Sequence, residues 1–217
     1  MIKTIGYFGD SFCATLGAGT WLNMLSDHYD AKITHTGVIG SSAGDAIVNQ
    51  FGTEQKRGRV PDVGVFIWTN SARLFHPQVR NITPERALSP LRDVKDFVPL
   101  WNAARDYYLH LYDQKHHELL FLALIHYFDK MVLPTLPNMR VVHLWAFADG
   151  GKGNKPTTYP YSFTSGIEVR PALVNIAREG REHKDDFVDT SPNHMNTEEK
   201  NVRVFDMVRG AIDKQND

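Results

Sequence analysis

The chain has 217 residues, of which 42% are hydrophobic, and its 24 basic side chains almost balance 25 acidic ones. A chain of this length buries about 70% of its unfolded surface, which is enough for one self-supporting domain. Its net charge of −1 lacks the basic excess typical of nucleic-acid-binding proteins and of polybasic membrane-binding segments. We therefore predict a single domain over residues 1–217, with no nucleic-acid partner and no membrane partner.

Cysteine usage and hydropathy favour residence in the cytoplasm. Cys13 is the only cysteine, so neither an internal disulfide nor a cysteine-based zinc cage can form. The longest purely apolar run, 119–125, is far shorter than the roughly 20 residues that span a bilayer. Asp10 interrupts the apolar residues after Lys3 too early for a secretory signal peptide. We therefore expect a cytoplasmic protein.

Apolar runs separated by turn residues predict alternating strands and helices. In chain order we predict strand 3–9, a loop running into a short helix over 17–26, strand 31–38, helix 43–51, strand 63–69, strand 139–148 and helix 196–213. The run 63–69 is apolar on both faces, as a central parallel strand should be. Strands that alternate with helices favour a parallel sheet covered on both faces, which is a three-layer α/β/α sandwich.

The stretch between the third and fourth predicted strands is too long for one crossover helix. Residues 94–132 are rich in helix formers, with Pro90 before them and Pro134 and Pro137 after them. We therefore predict a helical insertion at about 76–138. Its aromatic side chains are interpreted mainly as helix core. Since it leaves from a strand end that faces the predicted site, part of it could form a lid.

Four short polar blocks follow one another along the chain, each after a predicted strand or just before a helix. They are Gly-Asp-Ser at 9–11, Gly-x-x-Gly-Ser at 37–41, Trp-Thr-Asn-Ser at 68–71 and Asp-Thr-Ser-Pro-Asn-His at 189–194. The carboxyl ends of parallel strands are where open α/β sheets bind ligands. Each block taken alone is also typical of a turn or a helix cap, so the joint order carries the prediction of a functional site.

The four blocks resemble those of the SGNH hydrolases, also called the GDSL esterase and lipase family. The hallmark of that family is one Ser, one Gly, one Asn and one His from successive blocks. The resemblance implies a flavodoxin-like α/β/α fold with a short parallel sheet, in which Ser11 is the nucleophile and His194 the general base. It also implies an oxyanion hole made by the backbone N–H groups of Ser11 and Gly40 and the side-chain amide of Asn70.

The acid that would orient the imidazole is less clearly marked than the other site residues. The usual Asp-x-x-His of the family is stretched here, with four residues between Asp189 and His194. The resemblance makes Asp189 the best match, with Asp186 and Asp185 as alternatives. A serine hydrolase of this family can also work with only the Ser and the His.

The function we predict is that of a serine hydrolase, an esterase that cleaves a small acyl or O-acetyl ester through an acyl-enzyme on Ser11. Its partner would be a small-molecule or carbohydrate ester, and it needs no cofactor and no metal. The family usually has Gly and Asp where this chain has Trp68 and Ser71. This departure and the stretched acid–His spacing keep open the alternative of a non-catalytic structural or binding protein with the same fold. A flavodoxin-like nucleotide binder is less favoured, because no phosphate-binding glycine motif is present.

Other reactive side chains receive simpler interpretations. Cys13 is interpreted as a buried small hydrophobe rather than a nucleophile. Arg73 is interpreted as a member of a surface ion pair, with contact to an anionic group of a substrate as the alternative. The histidines of the insertion lack the carboxylate of a zinc motif and are interpreted as surface or core polar residues: His110, His116, His117 and His126.

Overall fold

Five parallel strands form one sheet in the order β2-β1-β3-β4-β5. The structure is a computed structural model, and it describes residues 1–74, 76, 82–89, 98–147, 161–180 and 192–216. The strands are β1 (Thr4–Phe8), β2 (Lys32–His35), β3 (Val63–Trp68), β4 (Arg140–Trp145) and β5 (Ile167–Val169). Phe8 at the end of β1 is in register with Phe66 of β3. The segments that follow these two strands therefore leave the sheet at the same edge.

Helices cover both faces of this sheet. The α-helices are α1 (Trp21–Tyr29), α2 (Gly52–Lys56), α3 (Pro84–Leu88), α4 (Val98–His110), α5 (Gln114–Tyr127), α6 (Leu173–Arg178) and α7 (Glu198–Asp213). The wider π-helical segments Asp45–Phe51 and Phe128–Val132 precede α2 and follow α5. Within the described ranges, no helix combines the length and the apolar character needed to cross a membrane.

Adjacent residues of β1 show how the two faces are covered, because successive strand side chains point in opposite directions. Tyr7 packs edge-on against Trp21 of α1, with ring centroids 5.4 Å apart. Phe8 points to the other face, where it meets Phe51 at 5.3 Å. Phe66 of β3 lies on that same face and contacts Phe128 at 4.8 Å. The predicted three-layer α/β/α sandwich is confirmed.

The structure differs from the sequence prediction at the sheet's second and fifth strands. The strand predicted over 31–38 ends at His35, because the N–H groups of Gly37 and Val38 donate to carbonyls of the loop after β1, at 2.9 Å each. Strand β5 and helix α6 were not predicted. Strand β5 has only three residues, which is too few to display a hydrophobic period.

The helices between β3 and β4 do not form one separate unit. Trp101 and Tyr108 of α4 pack with Ile82 in a small cluster of their own. Helix α5 instead buries Phe121 and Ile125 in the main core beside the sheet. Helix α5 therefore belongs to one of the helical layers, and its Leu120 and Leu124 line a groove together with Asn70, just after β3.

His143 of β4 is enclosed between the sheet and the segment before β5. Its Nδ1 accepts a hydrogen bond from Nε1 of Trp68 at 3.2 Å, and its Nε2 donates to the carbonyl of Ser165 at 2.7 Å. Its ring stacks on Phe163, with centroids 3.7 Å apart. These contacts fit one neutral tautomer. Desolvation by burial lowers the pKa of His143 to about 4, against the ordinary value of 6.5.

This buried imidazole should make the folded state sensitive to acid. Between about pH 6.5 and pH 4 the unfolded chain binds a proton at His143 that the folded chain does not, so the free energy of unfolding falls as pH falls. The full loss is on the order of 3 kcal/mol. We expect His143→Gln, which keeps one acceptor and one donor but does not titrate, to lose less stability than the wild type between about pH 7.5 and about pH 4.5. Urea unfolding at both pH values measures this, and equal losses in the two proteins would contradict it.

Candidate active site

Ser11 and His194 meet at the carboxyl edge of the sheet, although 183 positions separate them in the chain. Ser11 lies in the 3₁₀ turn Ser11–Cys13 just after β1, and His194 lies in the turn Pro192–His194 before α7. The Nε2 atom of His194 is 2.8 Å from Oγ of Ser11, the distance of a good hydrogen bond. A neutral imidazole can accept the serine proton at this nitrogen.

The 3₁₀ turn that carries Ser11 is held by its own N-cap. Oδ1 of Asp10 accepts from the N–H of Phe12 at 3.1 Å, and the N–H of Cys13 donates to the carbonyl of Asp10 at 3.1 Å. Cys13 is fully buried, and desolvation by burial raises the pKa of its thiol. This agrees with its interpretation as a small hydrophobe, since a thiol held in its neutral form is a poor nucleophile.

His194 is held in an uncommon backbone conformation by the residue before it. Asn193 and His194 have φ angles of +57° and +61°, in the left-handed region that Asn tolerates better than most residues. The Asn193 side chain accepts from the N–H of Thr15 at 3.1 Å and donates to the carbonyl of Thr15 at 2.9 Å. These two bonds tie the histidine turn to the loop after Ser11. Asn193 is a positioning residue that the sequence analysis left without a role.

The second block packs directly against the serine turn, and Gly37 makes this close approach possible. A Cβ atom at Gly37 would lie 2.4 Å from Sγ of Cys13 and 2.7 Å from the carbonyl of Asp10. Gly40 is buried and has a φ of +75°, a conformation that favours glycine. The second block therefore needs glycine at both positions, at Gly37 for space and at Gly40 for backbone conformation.

A buried polar network locks the first two blocks together. The Gln50 side chain accepts a hydrogen bond from the N–H of Gly9 at its Oε1 atom and donates one from Nε2 to the carbonyl of Gly9, at 2.9 Å each. The same amide nitrogen donates to Oγ of Ser41 at 2.8 Å, and that hydroxyl donates to Oδ2 of Asp45 at 2.8 Å. Gln50, Ser41 and Asp45 are buried, so water competes little for these bonds. Gln50 is a second positioning residue that the sequence analysis missed.

Arg73 joins the first three blocks, and its interpretation as a surface ion pair is wrong. Its Nη1 atom lies 3.0 Å from Oδ2 of Asp10 and 3.1 Å from the carbonyl of Ser41. The Thr69 hydroxyl donates to the same Asp10 oxygen at 3.1 Å. The Asp10 carboxylate is fully buried, and the Arg73 side chain is only 13% exposed. The sequence could not show this, because the pair forms across two different strand ends.

Asn70 stands exposed at the end of the segment that follows β3. Its Oδ1 accepts from the N–H of Ala72 at 2.7 Å, in a turn typical of Asn. With the oxygen used in this way, the amide nitrogen is the side-chain atom left to donate to a ligand. Trp68 points into the core, where it bonds His143, so this departure from the family pattern does not alter the site surface.

The candidate acids Asp189, Asp186 and Asp185 lie outside the described residues, so the choice among them stays a prediction. Asp10 is not a substitute, since its oxygens are engaged by Phe12, Thr69 and Arg73. Among the described residues, no group of three His, Cys, Asp or Glu side chains is arranged to hold a metal ion.

No protein-family model matches the chain, and no curated protein matches its sequence. Among solved structures, the chain is similar to the psychrotrophic esterase EstA from Pseudoalteromonas sp., at 13% identity over 98% of both chains and a TM-score of 0.49. It is also similar to the acetyl xylan esterase Est2A from the rumen bacterium Butyrivibrio proteoclasticus, at 10% identity and a TM-score of 0.35. That match covers 67% of this chain and only 47% of Est2A.

A GDSL-like lipase from Parabacteroides merdae is a further neighbour, at 17% identity over 73% of this chain and 66% of the lipase, with a TM-score of 0.30. At these identities the likeness concerns the fold alone.

Proposed function

We propose that the chain is a serine hydrolase that cleaves a small acyl or O-acetyl ester through an acyl-enzyme on Ser11. The observation that carries this proposal is the 2.8 Å contact between Oγ of Ser11 and Nε2 of His194 at the carboxyl edge of a parallel sheet. A serine hydroxyl bonded to an imidazole nitrogen is the arrangement that general-base activation requires. The substrate would be a small-molecule or carbohydrate ester.

Acylation begins as Oγ of Ser11 attacks the ester carbonyl carbon while its proton passes to Nε2 of His194. The carbonyl oxygen becomes an oxyanion, which accepts from the N–H groups of Ser11 and Gly40 and from the Asn70 amide. The bond to the alcohol oxygen then breaks, and His194 gives its proton to that oxygen. The alcohol leaves, and the acyl group remains on Ser11.

Deacylation repeats these steps with water as the nucleophile. His194 takes a proton from the water as its oxygen attacks the acyl carbon, and the same oxyanion donors serve again. The bond to Oγ then breaks, His194 returns the proton to Ser11, and a carboxylic acid leaves. Asp189, or one of its alternatives Asp186 and Asp185, would hold the imidazole in the correct tautomer and stabilise the imidazolium.

The alternative function, a non-catalytic structural or binding protein with this fold, has weaker support. It depends on Trp68 and Ser71 in the third block and on the stretched spacing from Asp189 to His194. Of these, Trp68 lies in the core and away from the site surface, whereas Asp189 lies outside the described residues. A binding protein has no need of a left-handed His194 held in contact with a serine hydroxyl. The strained histidine turn therefore favours the hydrolase. Cytoplasmic residence and the lack of a nucleic-acid partner stay predictions.

A fluorophosphonate probe tests the proposed function without knowledge of the substrate, because it reacts with activated serines. We expect peptide mass spectrometry to find a single adduct on Ser11 in the wild type and in Ser89→Ala, a control serine outside the four blocks. The adduct should be absent from Ser11→Ala and lost from His194→Ala. Circular dichroism confirms that each variant is folded. A folded wild type that takes no adduct, or an adduct that persists in Ser11→Ala, would refute the proposal.

A further inference from the structure

A groove leads away from Asn70 between the strand-end loops and helix α5. Its volume is about 180 Å³. Ser42, Ala43 and Gly44 line it on one side, and residues of α5 line it on another. The apolar lining residues are Ala43, Leu74, Leu120, Phe121 and Leu124. Asn70, a proposed oxyanion donor, is one of the lining residues, which places the groove beside the proposed position of the ester carbonyl.

The charge of the groove argues against an ionic ligand. Arg73 is the permanently charged residue among the described lining side chains, and its charge is balanced by Asp10 at 3.0 Å. His117 lines the groove as well, and its Nε2 is hydrogen-bonded to the hydroxyl of Tyr107. No carboxylate belongs to the described lining. Ser42 and Ser71 add two uncharged polar side chains to the lining. The groove therefore suits an uncharged ligand group whose carbon atoms can lie against its apolar residues.

The position of His194 decides which half of the ester occupies the groove. His194 must give its proton to the departing alcohol oxygen, so the alcohol must lie beside the turn that carries His194. No described residue of that turn lines the groove, whose lining instead includes Asn70 and residues of α5. The groove therefore receives the substituent on the other side of the carbonyl carbon, which is the acyl group.

The volume sets the length of that acyl group. An apolar cavity of about 150 Å³ holds one benzene molecule, so a groove of this size has room for about six carbon atoms. We propose that the groove is the acyl-binding site and that it selects esters of uncharged acids of about four to eight carbons over acetyl esters. This inference rests on the proposed function and narrows its small acyl group.

A series of p-nitrophenyl esters tests this inference, with acetyl, butyryl, hexanoyl and decanoyl groups on one alcohol. We expect kcat/KM to rise from acetyl to hexanoyl by about 10- to 100-fold, as each added methylene leaves water, and to fall for decanoyl. Leu120→Trp should fill the groove and reduce the hexanoyl-to-acetyl ratio by about tenfold or more. Leu124→Ala should lengthen the preferred chain. Leu119→Trp is the matched control, since Leu119 is exposed on the same helix outside the groove, and it should keep the wild-type ratio.

The outcomes separate this inference from the proposed function. Hydrolysis of every ester with equal kcat/KM, or a ratio unchanged in Leu120→Trp, would overturn the acyl site while leaving the hydrolase in place. A second series with one acyl group and different alcohols checks the assignment. If Leu120→Trp changed the preference for the alcohol instead, the groove would bind the alcohol part of the ester, and its assignment as the acyl site would be wrong. A chain that hydrolyses no ester and takes no fluorophosphonate adduct would overturn both.

Discussion

Replacing His194 by alanine is expected to lower kcat for a p-nitrophenyl ester by about 10⁴-fold or more, with a smaller change in KM. The reason is that Oγ of Ser11, 2.8 Å from Nε2, loses the group that takes its proton during attack. The same nitrogen would protonate the departing alcohol, so the variant lacks both the general base and the general acid of the acylation step. Steady-state kinetics with the wild type and the variant measure the loss.

His110→Ala is the matched control for this variant. His110 is an exposed histidine at the end of α4, so its removal should leave kcat unchanged. Urea unfolding then shows whether His194→Ala remains as stable as the wild type. If a folded His194→Ala kept a rate close to that of the wild type, the base would have to be another group, and the role of His194 in this mechanism would be wrong.

The second large effect concerns Arg73, whose replacement by methionine is expected to destabilise the fold by about 3–5 kcal/mol. Methionine keeps much of the side-chain volume but leaves the fully buried Asp10 carboxylate without its cation. The same substitution would remove the hydrogen-bond donor of the Ser41 carbonyl. Since these groups belong to the first and second blocks, kcat should fall together with stability. Urea unfolding and esterase kinetics measure the two effects.

The double variant Asp10→Asn with Arg73→Met separates charge from packing. It removes both charges, so it should be more stable than Arg73→Met alone. The surface control is Arg209→Met, which removes an exposed ion pair with Asp206 and should cost less than about 1 kcal/mol. If Arg73→Met were no more damaging than Arg209→Met, the buried ion pair would not be holding the strand-end loops together.

The sheet could be predicted largely from the sequence because its central strands bury both faces. The apolar run of β3 has all six residues buried, and β4 has five of its six buried. Such runs reveal a strand without any knowledge of its neighbours. The final helix was predictable for a similar local reason. Thr197 caps α7 by accepting from the N–H of Lys200, and both residues lie within one helical turn.

The site residues that could be predicted from the sequence are those located just after a strand. Ser11 comes just after β1, and Gly40 and Asn70 come after β2 and β3, so a parallel sheet brings their loops to one edge. The resemblance added His194, and the structure places it against Ser11. The roles of these residues stay predictions until the experiments above are carried out.

The sequence by itself therefore determined the layered parallel fold and the edge at which polar residues gather, because hydrophobic period and strand order are local properties. Only the tertiary structure decided how those residues are held. The bonds from Arg73 to Asp10, from Gln50 to Gly9 and from Asn193 to Thr15 each join residues that are 41 or more positions apart. Such contacts depend on which loops lie side by side once the sheet has formed. Hydrophobic periodicity along the chain carries no information about these contacts.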